Sequence, residues 1–151
     1  MDKLEYIPGD IVKIEYGEAA GKIGFVTNAI LKRKGSYGLF VFIGKEFQGS
    51  SKDDWISTYN DEVSPIPLTP EILEKNGWKL HKHHERNSYD DVSWSSYHKP
   101  AETNISLIFY QEEKAFFPFL YAQEISETPI RYIHQLQHIL FGLKINHEIK
   151  I

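Results

Sequence analysis

Six of the ten glycines fall between residues 9 and 38. They divide YIPGDIVKIEYGEAAGKIGFVTNAILKRKGSYGLFVFIGKE, residues 6–46, into apolar runs too short to be helices. Pro8-Gly9-Asp10 opens the run IVKIEY, in which Ile11 and Lys13 face oppositely to Val12 and Ile14. Gly17 and Gly21 bracket a tight connection, Gly24 opens FVTNAIL, and KRKGSYG turns the chain into LFVFIG. That last run is apolar at every position, as in a strand with both faces inside a core, so Phe40 and Phe42 are expected in the interior. Trp55 and Ile56 add a further strand, with Trp55 also expected inside, and NDEVSPIPL leads the chain out. Short strands separated by glycine turns suit a small β-barrel, which removes exposed sheet edges by closing on itself.

Composition narrows the functions available. Of 151 residues 41% are hydrophobic and 25% charged, which is the balance of a folded globular chain. Aromatic residues reach 14%, in keeping with β-rich packing. A net charge of −4 argues against coating nucleic acid by charge alone. The absence of cysteine removes disulfides, thiol nucleophiles and cysteine-based zinc sites. MDKLEYIPGD lacks the apolar core of a signal peptide, and no apolar run has the length of a membrane span. A cytoplasmic protein with no membrane association is expected.

The segment GDIVKIEYGEAAGKIGFVTNA resembles a KOW motif, shared by some ribosomal proteins and transcription elongation factors. The likeness rests on Gly9-Asp10, the alternating Ile11, Val12 and Ile14, Gly17, and Gly24 followed by Phe25 and Val26. It extends through LFVFIGKE to DEVSPI and implies an SH3-like barrel over residues 1–66. A glycine in such a turn serves a positive φ or a close backbone approach. KOW-type domains are associated with RNA, DNA or partner proteins, so the resemblance implies a binding module. Residues 1–64 carry eight Lys and Arg against ten Asp and Glu, a net of −2, which tempers the nucleic-acid reading. The basic run is Lys32-Arg33-Lys34, with Tyr37 beside it as a candidate for stacking on bases. Three phosphate contacts would give a salt slope of only about −2.7.

The remaining residues, 67–151, read as an α+β region, so the whole chain is assigned to the α+β class. Thr69 is an N-cap, Pro70 takes the first helical position, and Asn76-Gly77 supplies the stop of a two-turn helix against which Trp78 packs. The polar stretch 81–104 reads as a ragged strand pair or a long loop, and HKHHER at its start as a solvated strand edge or, more simply, a polar loop. ISLIFYQEEKAFFPFLYAQEI forms a hairpin about QEEK, with Pro118 at an edge or a bulge. ETPIRYIHQLQHILFGLK is a longer helix beginning with Thr128 as N-cap and Pro129. Its wide apolar arc is expected to pack on the hairpin, with HEIKI as a final edge strand. PIPLTPEILEKNGW and YIHQLQHILFGL resemble segments of small bacterial proteins carried by phage-like or conjugative elements, a group with no established activity.

His134 and His138 are four apart on that helix, the spacing of a zinc-binding pair, but Gln135 stands where a metalloprotease helix carries Glu. The expected roles are a core-rim hydrogen bond for His134 and a solvent-facing ring for His138, with no metal and no cofactor. No phosphate-cradling loop, nucleophile elbow or dinucleotide fingerprint is present in the sequence. The adjacent pairs Asp53-Asp54 and Asp90-Asp91 point apart or lie in loops. These residues favour a non-catalytic binding or adaptor protein with a protein partner; the alternative is a nucleic-acid accessory protein acting through Lys32, Arg33, Lys34 and Tyr37.

Overall fold

The computed structural model describes residues 6–33, 36–43, 55–100, 102–126, 128–147 and 149–151. They form a mostly β, α+β protein in two compact units, and the first unit is discontinuous: residues 1–67 with 132–151, while residues 68–131 make the second. The division therefore differs from a single boundary after residue 66. The twenty carboxy-terminal residues belong with the amino-terminal sheet.

The first unit is built on a five-stranded antiparallel sheet in the order β4-β3-β2-β1-β5. Its strands are β1 (Ile11–Ile14), β2 (Ile23–Arg33), β3 (Ser36–Ile43), β4 (Trp55–Tyr59) and β5 (Val63–Pro65). A 3-10 turn at Asn60–Glu62 joins β4 to β5, although these two strands stand at opposite ends of the pairing order. From Tyr59 to Val63 the chain can reach about 14 Å at most. Four strand spacings in a flat sheet span about 19 Å, so this sheet has to curl. Its inner face carries the core of Tyr6, Val12, Ile14, Val26, Leu39, Val41 and Val63, all buried.

Two kinds of glycine make the curl possible. Gly17 and Gly21 both have φ of 87° in the β1–β2 connection, a conformation that side chains with a Cβ resist. Gly24 is needed for a different reason. A Cβ there would lie 2.5 Å from Val41 Cγ1 and 2.6 Å from the Phe42 carbonyl oxygen. Because one of those obstacles is backbone, Gly24→Ala is expected to destabilise the protein by about 1–3 kcal/mol, read from urea unfolding midpoints.

The longer helix, α2 (Ile133–Gly142), covers part of the outer side of this sheet. Its buried positions are Ile133, His134, Leu136, Gln137 and Leu140. They include a polar residue in the middle of an apolar stripe. Gln137 is fully buried: its Oε1 accepts the Ile11 N–H at 3.0 Å, and its Nε2 donates to the carbonyls of Gly9 at 2.8 Å and His147 at 3.1 Å. The helix thus packs on β1, where its apolar arc had suggested the hairpin. It also starts four residues after Pro129. Ile130 is occupied in a two-way backbone bridge to Phe116, with N–H to O distances of 2.7 and 2.8 Å, which keeps it out of the helix. The tail beyond residue 146 forms no strand among the described residues, though Ile149 is buried.

The second unit is a five-stranded sheet in the order β10-β9-β8-β7-β6. It comprises β6 (Lys79–His84), β7 (Trp94–Lys99), β8 (Glu102–Tyr110), β9 (Ala115–Leu120) and β10 (Gln123–Glu124). The short helix α1 (Pro70–Lys75) precedes it, capped by the Thr69 hydroxyl, which accepts the Ile72 N–H at 3.3 Å. Trp78 is 2% exposed, and its N–H donates to the Leu73 carbonyl at the helix end. β8 and β9 are the expected hairpin. KLHKHH forms the strand edge of the two readings, paired to β7 with a register shift between Leu80 and Lys82. Pro118 lies opposite Leu107 in β9, beyond the two residues at which β10 pairs with that strand. Among the described residues no helix is long and apolar enough to cross a membrane.

Candidate binding face of the first sheet

Opposed residues in an antiparallel pair point to the same side of the sheet. On β2, β3 and β4 this gives three rows facing away from the core: Phe25, Phe42 and Trp55; Asn28, Phe40 and Ser57; Ile30, Gly38 and Tyr59. Phe25 and Phe42 are covered, at 1% and 6% exposure. Beyond the reach of α2 the cover ends, and Phe40, Trp55 and Tyr59 stand 40%, 44% and 45% exposed. Trp55 meets Phe42 edge-on with ring centroids 5.5 Å apart, so its orientation is set by a packed neighbour. Ile30, 38% exposed, extends the exposed apolar surface along β2. The reading of Phe40 and Trp55 as interior residues is thus corrected. The alternation of β3 points Leu39 and Val41 inward and Phe40 outward.

Lys32 belongs to this face as well. Its stem lies across Gly38, with Cε 3.0 Å from where a Cβ of residue 38 would be. Arg33 pairs through its backbone with Ser36, while its side chain and Lys34 lie outside the described residues. Tyr37 is not a stacking ring. It opposes Leu31, is only 7% exposed, and its N–H donates to Asn60 Oδ1 at 2.9 Å. Three aromatic side chains in neighbouring rows, with one ammonium beside them, are what this face offers.

No family model matches the chain, and no curated protein or solved structure matches it either.

The histidines have settled partners. His138 Nε2 lies 2.6 Å from Asp10 Oδ2, which also accepts the Ile7 N–H at 2.9 Å. Asp10 is wholly buried, and its other oxygen has no hydrogen-bond partner among the described residues. The ring of His134 is 4% exposed, tilted against Tyr6 and edge-on to His138 with centroids 5.6 Å apart. Burial lowers its pKa to about 4, against the pull of Asp10 and with the push of His138. His138 therefore meets a buried carboxylate instead of facing only water. Among the described residues no group of three or more His, Asp or Glu has the geometry to hold a metal ion.

In the second unit His83 Nδ1 lies 2.7 Å from Ser95 Oγ, and its Nε2 2.6 Å from Glu85 Oε1. The hydrogen bond from His83 and its charge hold the Glu85 carboxyl below the usual carboxylate range. Serine, imidazole and carboxylate in series resemble a hydrolase relay. However, Ser95 is 5% exposed, which leaves its Oγ without the room that an acyl substrate needs. The string instead ties edge strand β6 to β7. His84 stacks on Trp94 at 5.5 Å, with its Nε2 3.0 Å from Asp90 Oδ2. The Tyr97 phenol, 6% exposed, is pushed up by burial first and then by Glu74 and Glu71.

Two of these arrangements escaped the sequence. Asp10 looks like an ordinary turn residue after Pro-Gly. Gln137 falls on the stripe 133, 136, 137, 140, and a polar side chain at its centre was the available signal.

Proposed function

We propose that the chain is a non-catalytic adaptor whose first unit is an SH3-like barrel of KOW type, and that this unit docks a protein partner on the outer face of β2, β3 and β4. The single observation that carries this is the exposure of Phe40, Trp55 and Tyr59 in adjacent rows of one sheet face. Aromatic side chains are enriched at the centres of protein interfaces, while scattered single apolar residues are ordinary surface. The order β4-β3-β2-β1-β5, with a 3-10 turn carrying the chain between the two terminal strands, supports the SH3-like reading. The buried Ser95 and the committed rings of His83 and His138 fit an absence of catalysis. Lys32 beside Tyr59 supports the alternative, a single-stranded nucleic acid, less well: Asp61 and Glu62 share its cleft.

Photo-crosslinking from p-benzoylphenylalanine at position 59 tests the proposal, with position 89 as control because Tyr89 is 98% exposed in the second unit. A discrete protein adduct from position 59, absent from position 89 and lost in F40S/W55S, is expected. Equal yields at both positions overturn the docking face. Retardation of single-stranded DNA or RNA at low salt, lost in Lys32→Ala, would transfer the face to nucleic acid and overturn it too.

A further inference from the structure

The first unit holds a cleft of about 430 Å³ between the β1–β2 connection and the ends of β3 and β4. That volume is within the range of sites that take small ligand groups. Its walls are Ala19, Ile43 and Ile56, which pack against the core on their other side. Thr58, 7% exposed, belongs to the lining. A threonine hydroxyl both donates and accepts, so Thr58 can hydrogen-bond a polar group that enters. Glu62, half-buried in the 3-10 turn, and the exposed Glu18 supply two carboxylates, against one ammonium from Lys22. Tyr16, 65% exposed, adds an aromatic ring.

We infer that this cleft receives the side chain of a lysine presented by the protein partner, an inference that rests on the docking reading above. The apolar walls suit four methylenes, and the Tyr16 ring suits an alkyl stem or a cation above its face. The ammonium brings three donors, which Thr58 and the carboxylates accept. Glu18 and Glu62 come from separate segments, an arrangement that surrounds a point charge better than it pairs with the planar fork of arginine. Glu62 also lines a neighbouring cleft with Tyr59 and Lys32, so the site is continuous with the exposed aromatic face. A partner seated on Tyr59 thereby has a route to this cleft.

The experiment is an amide NMR titration of the intact protein with acetyl-Gly-Lys-Gly-amide, with its norleucine analogue and putrescine as separate arms. Saturable shifts at Ala19, Ile43, Ile56 and Thr58 are expected with the lysine peptide. Binding about tenfold weaker is expected for the norleucine peptide, and about fivefold weaker for the lysine peptide on Glu62→Gln. Thr58→Val, isosteric and lacking the acceptor, is expected to weaken binding while leaving distant resonances in place. Equal binding of the norleucine peptide, tighter binding of putrescine than of the peptide, or no shift at the cleft each overturns the inference. The crosslink from position 59 reads the docking face independently, so its persistence after a failed titration removes the lysine site alone.

Discussion

Replacing Gln137 by leucine is expected to destabilise the first unit by about 3 kcal/mol or more, because one donor and two acceptors lose their partner at about 1–3 kcal/mol each. The orphaned groups are the Ile11 N–H and the carbonyls of Gly9 and His147. The buried Ile11 N–H gains no water in exchange, since leucine fills the space that the glutamine filled. Leucine has the higher helix propensity and the right volume, so a gain in stability would be the naive result. Gln137→Glu keeps an acceptor for Ile11 but loses both donations, and is expected to be no more stable than the parent. Urea denaturation read by tryptophan fluorescence measures both variants. A leucine variant at parental stability would show that α2 is held by its apolar stripe alone.

Acid is expected to weaken the protein through His134 well before general carboxylate protonation takes over. In the folded chain this imidazole titrates at about 4, against 6.5 for an unperturbed histidine. Between those values the unfolded chain holds the proton and the folded chain does not. Stability therefore falls as the pH drops through 6.5 and continues to fall until about 4. The loss is about 2 kcal/mol at pH 5 and about 3 kcal/mol below pH 4. The groups facing His134 are Asp10, His138, Tyr6 and Tyr132. His134→Phe keeps an aromatic ring in the same apolar setting and removes the titration. The difference between parent and variant in urea midpoint, followed from pH 7.5 to 4.5, isolates this one group from the carboxylates. Parallel curves would mean that His134 is protonated without resistance.

Much of the local structure was legible because local rules decided it. Thr69 and Pro70 start a helix by a hydroxyl and a preset φ, both available within four residues, and QEEK turns a hairpin between two apolar runs. What the sequence left open were choices of partner. The apolar arc of α2 has the same pattern whichever sheet it covers, and only Gln137, reaching the backbone of residues 9 and 11, reveals the one it does cover. Thr128-Pro129 is a sound helix start that loses to a tertiary contact, the bridge from Ile130 to Phe116. LFVFI is apolar at every position, so alternation cannot tell that Phe40 is outside; the sideways extent of α2 decides that. Tyr37 was the expected stacking ring, yet it is a core ring, while Tyr59, opposite the next residue Gly38, is the exposed one. The basic run drew attention to the β2–β3 turn, whereas the exposed aromatic surface lies along β3 and β4.

The chain leaves the first unit at Pro67 and returns at Tyr132, two residues bridged to each other. During synthesis the ribosome has to deliver all 64 residues of the insert, 68 through 131, before the covering helix exists. For that interval Ile11 and Phe25 have no lid, and the nascent sheet is open to chaperones and to neighbouring copies of itself.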